Sequence, residues 1–339
     1  MGLIRGSKRI TLHDVAQKAG VSRSTASRAL NGSKRISRQT TQRVKDAARA
    51  LGFVANAQGR ALAIGRSETI SILITEPLDE LLSDPTYGAF LRGISEELSH
   101  TSYLPVLMQA SSAFERKRVQ THLEQHTVDA VINISPYEGM ELLESIQNQH
   151  LPAVLCGQLQ NNPYTTVFSN VYSDDVEGAA MAAKAMQKRG RKQIAIILGP
   201  ADNPAVPDRL EGYRSIYGAG LDESRIVYTG WDESSGYSAI SHLLDLDISI
   251  DGLLAGSDRI AAGAIAALAS RNLSVPDDVS VIGYDDHPIA ARIKPRLTTI
   301  HQPLLEEGRV AAQLALAMIN GEEPSTKILH MRLINRESL

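Results

Sequence analysis

Arg23, Ser24, Ser27 and Arg28 share the outward side of a short helical stretch within TLHDVAQKAGVSRSTASRALN, residues 11–31. All four donate hydrogen bonds, and two of them are cationic. Such a set fits recognition rather than turnover. A guanidinium fork matches phosphate oxygens and the paired acceptors of a base edge, and hydroxyls suit phosphates and bases alike. Groups suited to turnover are harder to find. No phosphate-cradling Walker A pattern occurs, Gly218-Ala219-Gly220 lacks the third glycine of a dinucleotide fingerprint, and there is no Gly-x-Ser-x-Gly elbow. His122 and His126 in THLEQH lie four apart, which can present two imidazoles on one helical face, but Leu123 stands where a zinc hydrolase keeps its glutamate. Their neighbours, rich in Gln, Glu and Arg, read as a solvated helix, so neither a metal nor a cofactor is expected. The single cysteine, Cys156 in PAVLCG, has no partner for an internal disulfide and reads as a small buried hydrophobe.

The donor face needs a scaffold, and the local signals supply one. Val15, Ala16 and Ala19 recur at helical spacing, Gly20 interrupts them, and Val21, Ala26, Ala29 and Leu30 resume the stripe. Thr11 precedes Asp14 by three residues, as in a capping box, and Ser22 can cap the second helix in the same way. A third helix is expected after Ser37, with Val44, Ala47, Ala48 and Leu51 turned inward and a stop at Gly52. Three short helices around one small core is the predicted head.

Charge separates this head from the rest. Residues 1–66 hold 14 Lys and Arg against Asp14 and Asp46 alone, whereas the remainder holds 21 basic against 36 acidic residues. The formal net charge of −3 therefore hides a strongly basic head on an acidic body. A basic helix-turn-helix with Arg on its second helix fits duplex DNA, since phosphate neutralisation supplies affinity and side chains reach the major groove. The alternative is a helical bundle whose charges serve only solubility.

With 339 residues, two or three domains are expected. No apolar run approaches the roughly 18 residues of a membrane span, and the start, MGLIRGSKRI, has no apolar segment of signal-peptide length. A cytoplasmic protein is the expectation. Beyond Arg66, short β-rich runs alternate with amphipathic helical stretches: TISILIT (69–75), AVINIS (130–135), PAVLCG (152–157), QIAIILG (193–199), GLLAG (252–256) and VSVIGYDD (279–286). This alternation predicts parallel sheets with helices on both faces, arranged as two lobes with a cleft at the carboxyl ends of their strands.

TLHDVAQKAGVSRSTASRALN, FVANAQGRAL, GPADNPAVPDRLEGY, AGSDRIAAGAI, VSVIGYDD and PRLTTIHQP, in this order, resemble the lactose repressor/galactose repressor family of bacterial transcription factors. The resemblance implies a helix-turn-helix head (1–55), a hinge helix and linker (56–66) and a body similar to periplasmic sugar-binding proteins (67–339). In that body two Rossmann-like lobes are expected, one of about 67–168 and 300–330 and one of about 169–299. It places Arg23 and Ser24 where the family reads operator bases, and Arg28 toward further bases or phosphates. Ser22, Thr25 and Ser27 fall at phosphate-contacting positions, and Thr11 and Asn31 complete the set. Asn56, Gly59, Arg60 and Leu62 fall on the hinge helix, with Leu62 as the wedge for a central minor-groove step. Ala55 stands where many relatives have proline and Gly59 where alanine is common. Both substitutions predict a hinge that is costlier to order on DNA.

The same resemblance implies an effector set of Asp84, Tyr87, Arg209, Trp231, Ser257, Asp258 and Asp285. Arg209 and Asp285 match residues that hydrogen-bond ligand oxygens, and Trp231 falls where an aromatic ring covers the ligand. Ser257 replaces the usual asparagine of an Asn-Asp pair with Asp258, and Gly157 stands where some relatives bring an acidic ligand-binding residue. The residues alone equally allow an Arg209–Asp285 structural pair, a core Tyr87 and a Trp231 that covers a strand end. Partners implied are a pseudo-palindromic operator, a second copy of the chain and a small molecule, a carbohydrate first and a purine or nucleoside second. A solute receptor or an enzyme are the remaining alternatives. The closing HMRLINRESL contains no leucine heptad, so a dimer is expected.

Overall fold

A computed structural model describes residues 10–33, 35–54, 66–134, 140–159 and 162–339. The chain divides into two units, residues 1–68 and 69–339.

The first unit is built by its caps. Helix α1 (Leu12–Ala19) starts at Thr11, whose hydroxyl and amide exchange hydrogen bonds with Asp14, and ends at Gly20 in the left-handed conformation. Ser22 caps α2 (Arg23–Leu30), and Ser37 caps α3 (Arg38–Leu51), which stops at left-handed Gly52. Val15, Ala16, Ala19, Ala26, Ala29, Val44, Ala47 and Ala48 form the core. Small side chains let three short helices approach closely, and the apolar stripe read from the sequence is the stripe that is buried.

The second unit holds two six-stranded sheets. In the first lobe, β1 (Thr69–Ile74) is followed by α4 (Leu78–Ser83), α5 (Pro85–Leu98), β2 (Leu104–Gln109), α6 (Ala113–Glu124), β3 (Ala130–Ile134), α7 (Met140–Asn148), β4 (Ala153–Cys156) and β5 (Ser169–Ser173). The chain then enters the second lobe through α8 (Asp175–Lys188), β6 (Ile194–Leu198), α9 (Ala205–Tyr217), β7 (Ile226–Tyr228), α10 (Glu233–Asp245), β8 (Gly252–Ala255), α11 (Asp258–Ser270), β9 (Ser280–Asp285) and β10 (Thr298–His301). It returns to the first lobe with α12 (Leu304–Ile319) and β11 (Thr326–Leu329), and ends with β12 (Arg332–Ile334) back in the second. The strand orders are β11-β5-β4-β3-β1-β2 and β12-β10-β9-β8-β6-β7, parallel throughout except for β12 against β10. Central strands are buried on both faces and are correspondingly continuous apolar runs.

The exchange points differ from the expected boundaries. Ser169–Ser173 belongs to the first sheet rather than the second lobe, because β5 runs beside β4 and β11. Thr298–His301 belongs wholly to the second sheet, paired with β9 and β12. Such pairings are long-range, so a lobe boundary read from local pattern alone shifts by a few residues. Return helix α12 seals the first lobe: Leu304, Ala311, Ala312, Leu314 and Ala315 join its core. Gly308 permits this closeness, since a Cβ there would overlap the Phe90 carbonyl of α5.

Helix α6 ends at Glu124 and His126 lies beyond it with φ +49°, so His122 and His126 do not share a helical face. No described helix is long and apolar enough to cross a membrane.

Candidate functional site

Two surfaces gather the candidate residues, one on each unit. On the first unit, Arg23, Ser24 and Arg28 are exposed along α2, with exposed Asn31 at its end. Neither arginine makes an ion pair among the described residues, which leaves two cationic forks facing solvent. Thr25 and Ser27 are half-buried. The hydroxyl of Ser22 accepts the Thr25 amide at 3.1 Å and lies 2.9 Å from the Ser24 hydroxyl and 2.8 Å from that of Thr25. Thr11 donates its hydroxyl to Asp14 at 2.7 Å. Both cap residues thus spend their side chains on helix starts. Asn56, Gly59, Arg60 and Leu62, with Ala55, lie outside the described residues.

On the second unit, the carboxyl ends of the parallel strands from both lobes meet at a cleft of about 770 Å³. Asp84, Tyr87, Arg209, Trp231, Ser257 and Asp285 all line it. At its base lies Arg209, 4% exposed. Its Nε donates to Asp175 Oδ1 at 2.8 Å, its Nη1 donates to the Gly256 carbonyl, and its Nη2 lies 3.6 Å from Asp285 Oδ1. The guanidinium carbon is 3.7 Å from the centre of the Tyr284 ring and 5.6 Å from that of Trp231. Burial works against the charge, but Asp175 and Asp285 overcome it, so Arg209 holds its proton more tightly than usual. Arg209 and Asp285 therefore line the cleft and pair with each other.

Backbone strain aims the acid of this pair. Asp285 and Asp286 end β9 at φ +97° and +60°, a region that side chains other than glycine rarely adopt. The turn sends Asp285 toward Arg209, while Asp286 accepts from Arg336 at 2.5 Å and lies 3.0 Å from His301. Burial pushes the Asp285 carboxyl up, opposed by His287 and Arg209.

Trp231 rests on Gly199, where any Cβ would overlap the indole ring. That glycine is a requirement of the aromatic wall. Ser257 is buried and already committed: its hydroxyl caps α11 through the Ile260 amide at 3.1 Å and lies 3.3 Å from the Trp231 carbonyl. Tyr87 is both core and cleft wall.

Asp258 departs from expectation. It is fully buried and absent from the cleft wall; its Oδ2 accepts the His287 amide at 2.7 Å and its Oδ1 the Thr299 hydroxyl at 2.6 Å. Burial raises its pKa well above the carboxylate range. Its observed contacts fix the loop after β9.

Five residues were missed by sequence reasoning: Asp175, Arg259, Thr86, His287 and Glu307. Asp175 follows Asp174 at the end of β5 just as Asp286 follows Asp285 at the end of β9, and this repeated strand-Asp-Asp pattern was the available signal. Arg259 pairs with Asp84 across the two lobes at 3.3 Å. Beside that bridge, the Thr86 hydroxyl lies 3.1 Å from His287 Nε2, also across the lobes. Glu307, in the first turn of α12, lines the cleft and is 2% exposed. Nothing in the local pattern LLEEG marks it.

The comparisons with known proteins agree with this architecture. Residues 11–56 match the family described as bacterial regulatory proteins, lacI family, and residues 183–339 match the periplasmic binding protein-like domain. The chain is 34% identical over 336 residues to the HTH-type transcriptional regulator CelR of Thermobifida fusca, covering 98% of each protein. A solved structure described as a transcriptional regulator CelR–cellobiose complex is 33% identical, with a TM-score of 0.77 over 98% of this chain and 100% of the other. A lac repressor dimer bound to operator and the anti-inducer ONPF shares the fold, with a TM-score of 0.82 at 23% identity over 98% of this chain and 99% of the other. With a three-helix cationic head, two doubly wound lobes and full-length likeness to such regulators, the chain belongs to the lacI family of bacterial regulatory proteins.

Proposed function

We propose that this protein binds a pseudo-palindromic operator as a homodimer in the cytoplasm and is switched by a carbohydrate held between the lobes of its body, with no catalytic step. The observation that carries the reading is the grouping of Arg209 and Asp285 with Trp231 in one cleft. A sugar presents hydroxyl edges and a C–H face. A charged donor and acceptor beside an indole complement both. The relative whose solved structure is described with cellobiose supports the same ligand class.

Arg23 and Ser24 read base edges from the start of α2, and Arg28 reaches further bases or phosphates. Thr11, Ser22, Thr25, Ser27 and Asn31 contact the backbone, those whose hydroxyls serve caps doing so as secondary acceptors and donors. Asn56, Gly59, Arg60 and Leu62 form the hinge that engages the minor groove. Dimerisation is supported by edge strand β2, where Leu104, Val106 and Leu107 are exposed, together with exposed Phe114 on α6. Two recognition helices then meet half-sites about 34 Å apart. Ligand and operator are reciprocally coupled through lobe rotation.

The test is a gel-shift titration of the full chain on duplexes selected from a random pool, repeated at rising salt with a panel of sugars and nucleosides. A steep salt dependence is expected, together with a change of about fivefold or more in operator affinity with one sugar. Absence of salt-sensitive duplex binding overturns the DNA half, and a response confined to nucleosides overturns the carbohydrate half.

A further inference from the structure

The cleft carries more negative charge than a neutral ligand can use. Eight carboxylates line it against two guanidiniums. Both guanidiniums are already neutralised, Arg209 by Asp175 and Asp285 and Arg259 by Asp84. Five carboxylates are left over, and of these Glu307 is the buried one. It is 2% exposed and faces the cleft, and the one hydrogen bond of its carboxylate among the described residues is accepted by Oε2 from the Ser173 hydroxyl at 3.0 Å. No cation approaches it in an ion pair among the described residues.

A buried carboxylate without a counter-charge is costly, and a site that keeps one is completed by whatever supplies the charge. Burial pushes the Glu307 carboxyl up to about 8, with the Ser173 hydrogen bond opposing and Asp175 adding to the rise. Its surroundings offer no internal remedy: Cys156 on β4 and Asp175 at the start of α8 are neutral or negative neighbours. A bare divalent ion is a poor candidate, because among the described residues no group of three or more His, Cys, Asp or Glu could hold one. What fits is a single positive charge on an organic molecule that also offers hydroxyls to Arg209 and Asp285.

Resting on the carbohydrate reading of this cleft, we propose that its effector is an amino sugar, whose ammonium group is seated on Glu307 at the first-lobe wall while its hydroxyls meet Arg209 and Asp285. An ammonium donates three hydrogen bonds where a hydroxyl donates one. Replacing one sugar hydroxyl by an amine therefore satisfies the free oxygen of Glu307 and its charge together. The competing account is a permanently protonated Glu307 that donates to a neutral hydroxyl, which gives no preference for an amine.

The test is calorimetric titration of the full chain with matched pairs at a pH near 8, where the Glu307 carboxyl is half ionised: cellobiose against the β-1,4-linked glucosamine disaccharide, and glucose, galactose and mannose against their 2-amino counterparts. At least one amine is expected to bind about tenfold or more tightly than its hydroxyl partner. Glu307→Gln is expected to bring that ratio to about one, and Glu307→Asp, which keeps the charge one methylene farther back, to retain part of it. The Asp variant also decides the matter if the Gln variant fails to fold. A hydroxyl sugar that binds and shifts operator affinity as well as or better than its amine overturns the amino-sugar assignment and leaves the carbohydrate reading standing. If no member of any pair binds, both fall together.

Discussion

The face of α2 and the base of the cleft each rest on arginine, and they use it in opposite ways. Arg23 and Arg28 are exposed and unpaired among the described residues, so their charge is spent in water and screened by salt. Arg209 is 4% exposed and held on three sides, by Asp175, the Gly256 carbonyl and Asp285. An exposed arginine costs the fold nothing and waits for a polyanion. A buried one is part of the fold, and a ligand's oxygens reach its N–H groups only by sharing or displacing partners already in place. On the proposed function, one residue type thus serves an affinity that varies with ionic strength and a specificity that hardly does.

The contrast is broken most directly at Arg209. Arg209→Met leaves Asp175 and Asp285 buried without their counter-charge and is expected to destabilise the body by about 3–5 kcal/mol in thermal or denaturant unfolding. Low-salt binding to duplex DNA by the folded fraction should persist, because the cationic head carries it. A loss under 1 kcal/mol would mean that the buried network relaxes far more than its geometry suggests.

Glu307 sharpens the comparison from the acidic side. Unfolded, its carboxyl ionises near 4.5; folded, near 8. Folding therefore retains a proton across that interval, and the stabilising contribution present below about pH 4.5 is lost as pH rises toward 8. Glu307→Gln removes the dependence, so the variant should gain about 2–4 kcal/mol on the parent between roughly pH 5 and pH 8, read from melting curves. Parallel curves across that range would show the carboxyl to be solvated.

On the head, Arg23→Ala is expected to cost about 1–3 kcal/mol of operator affinity and to relax the preference at one base position, leaving the unfolding transition unchanged. Uniform weakening on all duplexes would reassign Arg23 to the phosphates. The smallest effect belongs to Gly59→Ala, which, on the hinge helix that the family resemblance implies, should tighten operator binding by about 1 kcal/mol per hinge, because ordering a glycine in a helix costs that much against alanine. An unchanged or weaker gel shift contradicts a helical hinge.

Legibility in the sequence followed the range of the interactions involved. Thr11 with Asp14, Ser22, Ser37 and Gly52 act within four residues of themselves, and the head could be read almost side chain by side chain. The buried strands β1, β3, β4, β6, β8 and β9 showed as apolar runs. Strand β5, SNVYS, is polar in composition and became a strand through its neighbours β4 and β11, which no local window contains. The cleft divided in the same way. Arg209, Asp285 and Trp231 sit in segments that carry a family likeness, whereas Glu307 gains its interest from an α12 start brought against β5 by the return crossing. Asp258 misled because its segment matches the family while its carboxylate turns toward Thr299 and the His287 amide.

The indole seated on Gly199 belongs to the only tryptophan among the 339 residues. Excited at wavelengths that its ten tyrosines do not absorb, the protein fluoresces from the cleft wall alone, beside the Arg209 cation. An unlabelled sample reports occupancy of the cleft by the colour and intensity of its own light.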